Sequence, residues 1–207
     1  MSLTRFRPAF VLITSSALML VLPGAGGPAS AHPHVWITDV TSFLFDGPEL
    51  VGLRHQWQFD ELFSSYVIEE HDADGDGAFD PAELAALQEG AFSNLAEYGY
   101  FTHARVDGAR LPLTAVEDFE ATIEDGLLIY EFTLPLPEPL DPRAVSFAAG
   151  VYDAEYYVEV LLDQDDPVRF RGMDSGACIY DIREDTENPI YFGMVNPLVI
   201  TLHCAVS

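Results

Sequence analysis

Residues 101–134 read FTHARVDGARLPLTAVEDFEATIEDGLLIYEFTL, with Asp-Gly at 107–108 and again at 125–126. Asp-Gly between short apolar runs is a strong local signal for a two-residue hairpin, because both turn positions need positive φ. Residues 101–106 and 111–114 flank the first turn, and residues 119–123 and 127–134 flank the second. Two hairpins in succession predict a β-rich chain.

Working outward, the same pattern recurs. Residues 34–45 read as a strand, and Asp46-Gly47-Pro48-Glu49 as a turn. Residues 50–59 alternate, with Leu53, His55, Trp57 and Phe59 on one face and Arg54, Gln56 and Gln58 on the other. Later apolar runs at 145–151, 156–162, 168–171, 178–182 and 198–203 extend the series. The Pro-rich stretch 134–142 reads as a cross-over between sheets. Many short strands with regular turn signals predict a mainly β chain, a single β-sandwich domain over residues 32–207.

One segment breaks the pattern. Residues 60–98 read as an inserted helix–loop–helix. Its loop, 72–83, is DADGDGAFDPAE and fits D-x-[DN]-x-[DN]-G-x5-E, the EF-hand calcium loop, at every specified position. Asp72, Asp74 and Asp76 take positions 1, 3 and 5, and Gly77 takes the sharp turn at 6. Ala78 offers its carbonyl at 7, Asp80 acts directly or through water at 9, and Glu83 closes the loop at 12. Calcium is a hard cation wanting six to eight oxygens, and this spacing wraps oxygens around one point. The alternative is a metal-free acidic turn. Phe59, Leu62, Phe63, Tyr66 and Val67 make an apolar stripe before the loop, and Leu84, Leu87, Ala91, Leu95 and Tyr98 make one after it. Asp80 suits an N-cap, Pro81 the first helical position, and Glu83 the third residue after the cap. EF-hands usually work in pairs, and a single loop points to a structural ion of weak affinity.

Residues 1–31 read as a signal peptide. Arg5 and Arg7 precede a mostly apolar run at 9–22, and Ala29-Ser30-Ala31 is a small-residue cleavage site. The run is too short for a stable membrane span, and none follows it, so the chain is expected in the periplasm or secreted. Asp and Glu number 34 against nine basic residues, all arginine, for a formal charge of −25. Such a surface repels nucleic acid and anionic lipid, and it equally suits salty surroundings. Cys178 and Cys204 are the two cysteines, and an even count in an oxidising compartment predicts one disulfide. A metal site using His203 and Cys204 is disfavoured, because neighbouring strand residues point to opposite faces.

Cleavage after Ala31 would leave His32-Pro33-His34 at the amino terminus. The terminal amine with His32, His34 and His55 could hold Zn²⁺, Ni²⁺ or Cu²⁺. Pro33 has no amide proton, which excludes the square-planar form that needs ionised backbone amides. Structural roles for His34 at a strand start and His55 in a half-core compete with this. His71 suits the end of a helix, and His103 has no evident partner. The chain shows no G-x-S-x-G elbow, no H-E-x-x-H and no candidate cysteine nucleophile. Asp60 and Glu61 fit helix capping better than acid–base chemistry, so no enzyme is expected.

With these pieces assembled, the chain resembles a family of bacterial periplasmic proteins filed as a domain of unknown function and described as a periplasmic component of ABC-type transport. The resembling residues are HPHVWI at 32–37, HQWQFDELFSSY at 55–66, DADGDG at 72–77, YFTHARVDG at 100–108, FTLPL at 132–136 and VYDAEYYVEV at 151–160. Their order carries the resemblance more than any one motif. It implies an exported accessory protein for nickel, cobalt, zinc or copper transport with a membrane transporter as partner. The other expectation is a calcium-stabilised interaction module that docks on a transporter and holds no transition metal.

Overall fold

In the computed structural model, residues 33–173 and 177–205 are described, and the expected signal peptide and His32 lie outside them. The described chain is mainly β, in two sheets. The first sheet has the strand order β5–β6–β2–β1–β8, with β9 also pairing β1. Its members are β1 (Val35–Asp46), β2 (Glu49–Phe59), β5 (Glu117–Glu124), β6 (Leu127–Leu140), β8 (Val158–Leu162) and β9 (Val168–Arg171). The second has the order β10–β11–β7–β3–β4. These strands are β3 (Thr102–Val106), β4 (Ala109–Leu111), β7 (Phe147–Val151), β10 (Cys178–Glu184) and β11 (Leu198–Cys204).

Both Asp-Gly turns form as expected. Asp107 and Gly108 have φ of 50° and 79°, and Asp125 and Gly126 have 52° and 80°, the positive pair that matches the twist of the flanking strands. The inward face of β2 is Leu53, His55, Trp57 and Phe59, each at most 5% exposed. From the facing strands, Phe43 of β1 meets Phe147 of β7 edge-on, with ring centroids 6.1 Å apart.

Three points correct or extend the sequence expectations. The Pro-rich stretch is no cross-over: β6 runs through it to Leu140, pairing Pro135 with Gly52 and Leu140 with Leu50 of β2. The last β5 partner is Glu117, opposite Thr133, so these prolines fall where β6 has an open edge and a missing N–H costs no ladder bond. Second, the two short strands β8 and β9 run parallel to β1, one after the other along its edge. Third, the helical stripes are placed differently. Helix α1 (Glu61–His71) buries Ser64 and Val67, while Leu62 and Tyr66 are exposed. Helix α2 (Pro81–Gly90) ends well before residue 98, and Phe92–Phe101 continues as a 3₁₀ segment, broken where Gly99 and Tyr100 take positive φ.

Ser64 explains how α1 seats. Its hydroxyl donates to the Phe59 carbonyl at 3.3 Å and accepts from the Leu128 N–H at 3.0 Å. A small polar side chain there lets the helix approach β6 and satisfies a buried backbone donor.

The tail is stapled. Cys178 and Cys204 form the expected disulfide, directly opposite one another on β10 and β11 with Cα atoms 4.0 Å apart. No helix among the described residues is long and apolar enough to cross a membrane.

Candidate functional site

Asp60 and Asp80 set the two helices that flank the acidic loop. The Asp60 carboxylate accepts from the Leu62 and Phe63 N–H groups and, through its other oxygen, from Trp36 N–H at 2.9 Å, tying α1 to the start of β1. Asp80 accepts from the Ala82 and Glu83 N–H groups, and Glu83 reaches back to Asp80 N–H at 2.9 Å, a complete capping box with Pro81 at the first turn. His71 stands in the last turn of α1.

Between the helices the loop folds around its own carboxylates. Asp72 Oδ1 accepts from Gly75 N–H at 3.0 Å and Asp76 N–H at 3.2 Å, and Asp72 Oδ2 accepts from Gly77 N–H at 3.0 Å. Asp74 accepts from Asp76 N–H and Asp76 from Ala78 N–H. Gly77 has φ +83°, the left-handed turn that the sixth position requires. One carboxylate oxygen from each of Asp72, Asp74 and Asp76 lies within 4.8 Å of the others. The sequence expectation added Ala78, Asp80 and Glu83. Here the Asp80 carboxylate caps α2, and Glu83 bridges the loop mouth, accepting from Ala73 N–H at 2.7 Å as well as from Asp80. The donor set is all hard oxygen, which fits calcium and magnesium and suits thiophilic metals poorly.

The histidines part company. His34 is exposed beside Tyr157, with ring centroids 4.8 Å apart. His55 pairs with Thr41, seven residues along the chain from His34, so the two stand roughly 20 Å apart at about 3.3 Å per strand residue. They cannot share an ion. His55 is fully buried, and its Nδ1 lies 3.0 Å from Asp39 Oδ1. Thr41 Oγ1 donates to Asp39 Oδ2 at 2.6 Å, and Thr102 Oγ1 lies 3.3 Å from His55 Nε2. Asp39, Thr41 and Thr102 were not singled out from the sequence. A period-2 reading of β1 would have placed Asp39 and Thr41 on the inward face with Ile37 and Phe43.

His103 also finds a partner. Its ring stacks on Tyr152 with centroids 3.9 Å apart, and its Nε2–H donates to the Tyr152 carbonyl at 3.0 Å. Burial first, and then the Arg110 and Arg105 charges, hold its pKa below the usual histidine value against the opposing pull of the Tyr152 carbonyl and Asp153.

Comparison with known proteins gives no activity. The chain is 34% identical over 131 residues to an uncharacterised 15.5 kDa protein from Spirochaeta aurantia, covering 63% of this chain and 93% of that one. It is 26% identical over 149 residues to an uncharacterised protein of Haemophilus influenzae, covering 69% of this chain and 68% of the relative. A family model described as "Protein of unknown function (DUF1007)" matches residues 17–194, and the chain belongs to that family.

Proposed function

We propose that this chain is an exported calcium-binding protein, a β-sandwich domain whose inserted helix pair is an EF-hand closed by Ca²⁺. One observation carries the reading: the Asp72, Asp74 and Asp76 carboxylates converge within 4.8 Å on a loop that turns at Gly77. In a chain of formal charge −25, three clustered carboxylates repel each other and attract a hard cation. Asp72, Asp74 and Asp76 would supply side-chain oxygens, Ala78 its carbonyl, Glu83 two further oxygens and Asp80 a water-bridged one.

The ion's role in this reading is structural. It ties α1 to α2, and both helices pack on the first sheet. The β domain then serves as an accessory component outside the cytoplasm, docking beside a membrane transporter as the resemblance implies. The Cys178–Cys204 disulfide suits an oxidising compartment. Nothing in the geometry favours a transition-metal site that includes His55, which is committed to Asp39 inside the core.

Thermal unfolding tests the site. With a dissociation constant of about 10⁻⁴–10⁻³ M, about 10 mM calcium should stabilise wild type by about 1–3 kcal/mol and raise the unfolding temperature accordingly. An Asp72→Ala, Glu83→Ala double variant should lose most of that rise. An equal rise in both proteins would place the ion elsewhere.

A further inference from the structure

A cavity of about 400 Å³ opens between the 3₁₀ segment Phe92–Phe101, helix α1 and the first sheet. That volume lies in the range of small-molecule sites. Its walls are apolar and largely aromatic, with Phe59, Phe63, Phe92 and Phe101 among them. Tyr98 and Tyr157 also line it, each about half exposed, at 53% and 51%.

Two residues of the lining carry an anomalous polar atom. Trp57 Nε1 and Tyr130 Oη are buried and have no hydrogen-bond partner. Trp57 is 0% and Tyr130 2% exposed. They are also neighbours: Trp57 of β2 and Tyr130 of β6 are directly paired across the ladder, so both side chains leave the same face of the sheet side by side. Buried donors are nearly always satisfied, and an orphan calls for a cause such as a missing ligand. Here the two residues that carry the orphans stand side by side and both line one cavity. Indole N–H can only donate, so whatever satisfies it brings an acceptor. Burial pushes the Tyr130 phenol well above its usual pKa, so it too keeps a proton to donate.

The surroundings narrow the ligand further. Asp153 lines the cavity, but its carboxylate is occupied by the Glu155, Tyr157 and Val158 N–H groups. Glu155, also in the lining, is exposed. Both carboxylates and the overall negative charge oppose an anion. We propose that this cavity binds an uncharged, mostly apolar, flat molecule whose carbonyl oxygen accepts from Trp57 Nε1–H and Tyr130 Oη–H once the side chains of the lining shift to uncover these two buried donors. The aromatic walls take the flat body, and the donor pair fixes its orientation. The site is independent of the calcium reading, since its donors stand on β2 and β6.

Prodan, a neutral naphthalene carrying a ketone, is a suitable probe. 2-(Dimethylamino)naphthalene, the same ring system without the ketone, is its control. Titrated into the purified protein lacking residues 1–31, prodan should bind one-to-one with a saturable fluorescence change. Its binding should move the Trp57 indole N–H resonance and leave that of Trp36 in place. Tyr130→Phe keeps the ring and removes the orphan hydroxyl. It should weaken prodan about five- to tenfold, the value of one neutral hydrogen bond, and leave binding of the control unchanged. Without any ligand, Tyr130→Phe should unfold no more easily than wild type, because the hydroxyl it removes has no partner. Ala91→Leu, which places added volume in the cavity lining, should weaken both compounds. Absence of saturable prodan binding, or equal prodan affinity in wild type and Tyr130→Phe, overturns the proposal.

Discussion

His55 Nδ1 lies 3.0 Å from Asp39 Oδ1, with both side chains fully buried on the inward face of adjacent strands. The pair is offset by two residues in the β1–β2 register, where Thr41 stands opposite His55 and Asp39 opposite Trp57. Thr41 fills the gap, donating to Asp39 Oδ2. Phe132 and Trp57 wall the imidazole, with ring centroids 5.3 and 6.1 Å away. A polar cluster so enclosed is favourable only while each member keeps its partner.

Removing one partner should therefore be costly. Asp39→Ala leaves a buried imidazole and the Thr41 hydroxyl beside a hole, and should lower unfolding free energy by about 3–5 kcal/mol. His55→Leu should cost a comparable amount by leaving the carboxylate unpaired. The Asp39→Ala, His55→Leu double variant should cost at least about 1 kcal/mol less than the sum of the two, because neither polar group is then stranded. Urea unfolding of the four proteins measures this coupling. Strict additivity would mean that the pair does not act as a unit.

The strands were legible because period-2 alternation and Asp-Gly turns are local. Leu53, His55, Trp57 and Phe59 could be assigned to one face from spacing alone, and all four are buried. What failed was non-local or hidden by polarity. Counting Phe59 in the stripe of the entering helix anchors that stripe on a strand residue, because Asp60 caps the helix, and so misplaces Leu62 and Tyr66. Ser64, which seats the helix, looks like a surface residue until Phe59 O and Leu128 N are beside it. Helix α2 ends at Gly90, although the apolar spacing of Ala91, Leu95 and Tyr98 continues the helical period beyond it. The parallel strands β8 and β9 carry no local sign of their partner, and a buried Asp39 makes sense only with His55 across the ladder. For the acidic loop, the spacing gave the cluster of Asp72, Asp74 and Asp76. It did not reveal that Asp80 and Glu83 also hold the backbone.

His103 should make stability fall with acid. Its folded pKa is lowered, chiefly by burial, so as pH falls the unfolded chain takes up the proton first, near the ordinary value of about 6.5. The stabilisation from the neutral ring is present above that value and is lost as pH drops toward the folded pKa. His103→Gln keeps an N–H for the Tyr152 carbonyl and cannot charge. The difference in urea midpoint between wild type and His103→Gln should therefore shift in the variant's favour from pH 7.5 to pH 5.5. A difference that stays constant over that range would contradict the assignment.

Two glycines separate steric from conformational cost. At Gly172 an added Cβ would sit 2.0 Å from the Phe45 carbonyl oxygen, and φ is already +82°. Backbone must move to admit it, so Gly172→Ala should destabilise by about 3 kcal/mol or more. At Gly47, in the β1–β2 turn, φ is +58° and nothing lies within 4 Å. Gly47→Ala should cost only about 1 kcal/mol, the strain of a left-handed non-glycine residue. Thermal or urea unfolding of both variants gives the ranking, and a larger loss at Gly47 would contradict it.

The disulfide should hold the second sheet more than the acidic loop. Cys178 and Cys204 are separated by 26 residues, and closing a loop of that length stabilises by about 3–4 kcal/mol on the chain-entropy model. The bond clamps β10 to β11 at one end. At the other end, Arg105 Nη1 of β3 donates to Asp185 Oδ2 at 2.7 Å. A Cys178→Ser, Cys204→Ser variant should lose about that energy in urea unfolding. Hydrogen exchange should rise first along β10 and β11, which among the described residues are joined to the rest of their sheet through the pairing of Ile200 and Thr201 with β7. The calcium stabilisation proposed above should be retained, since α1 and α2 lie against β5, β6 and the 3₁₀ segment Phe92–Phe101. Loss of the calcium effect in the variant would instead show that the acidic loop needs the clamp between β10 and β11 to keep its shape.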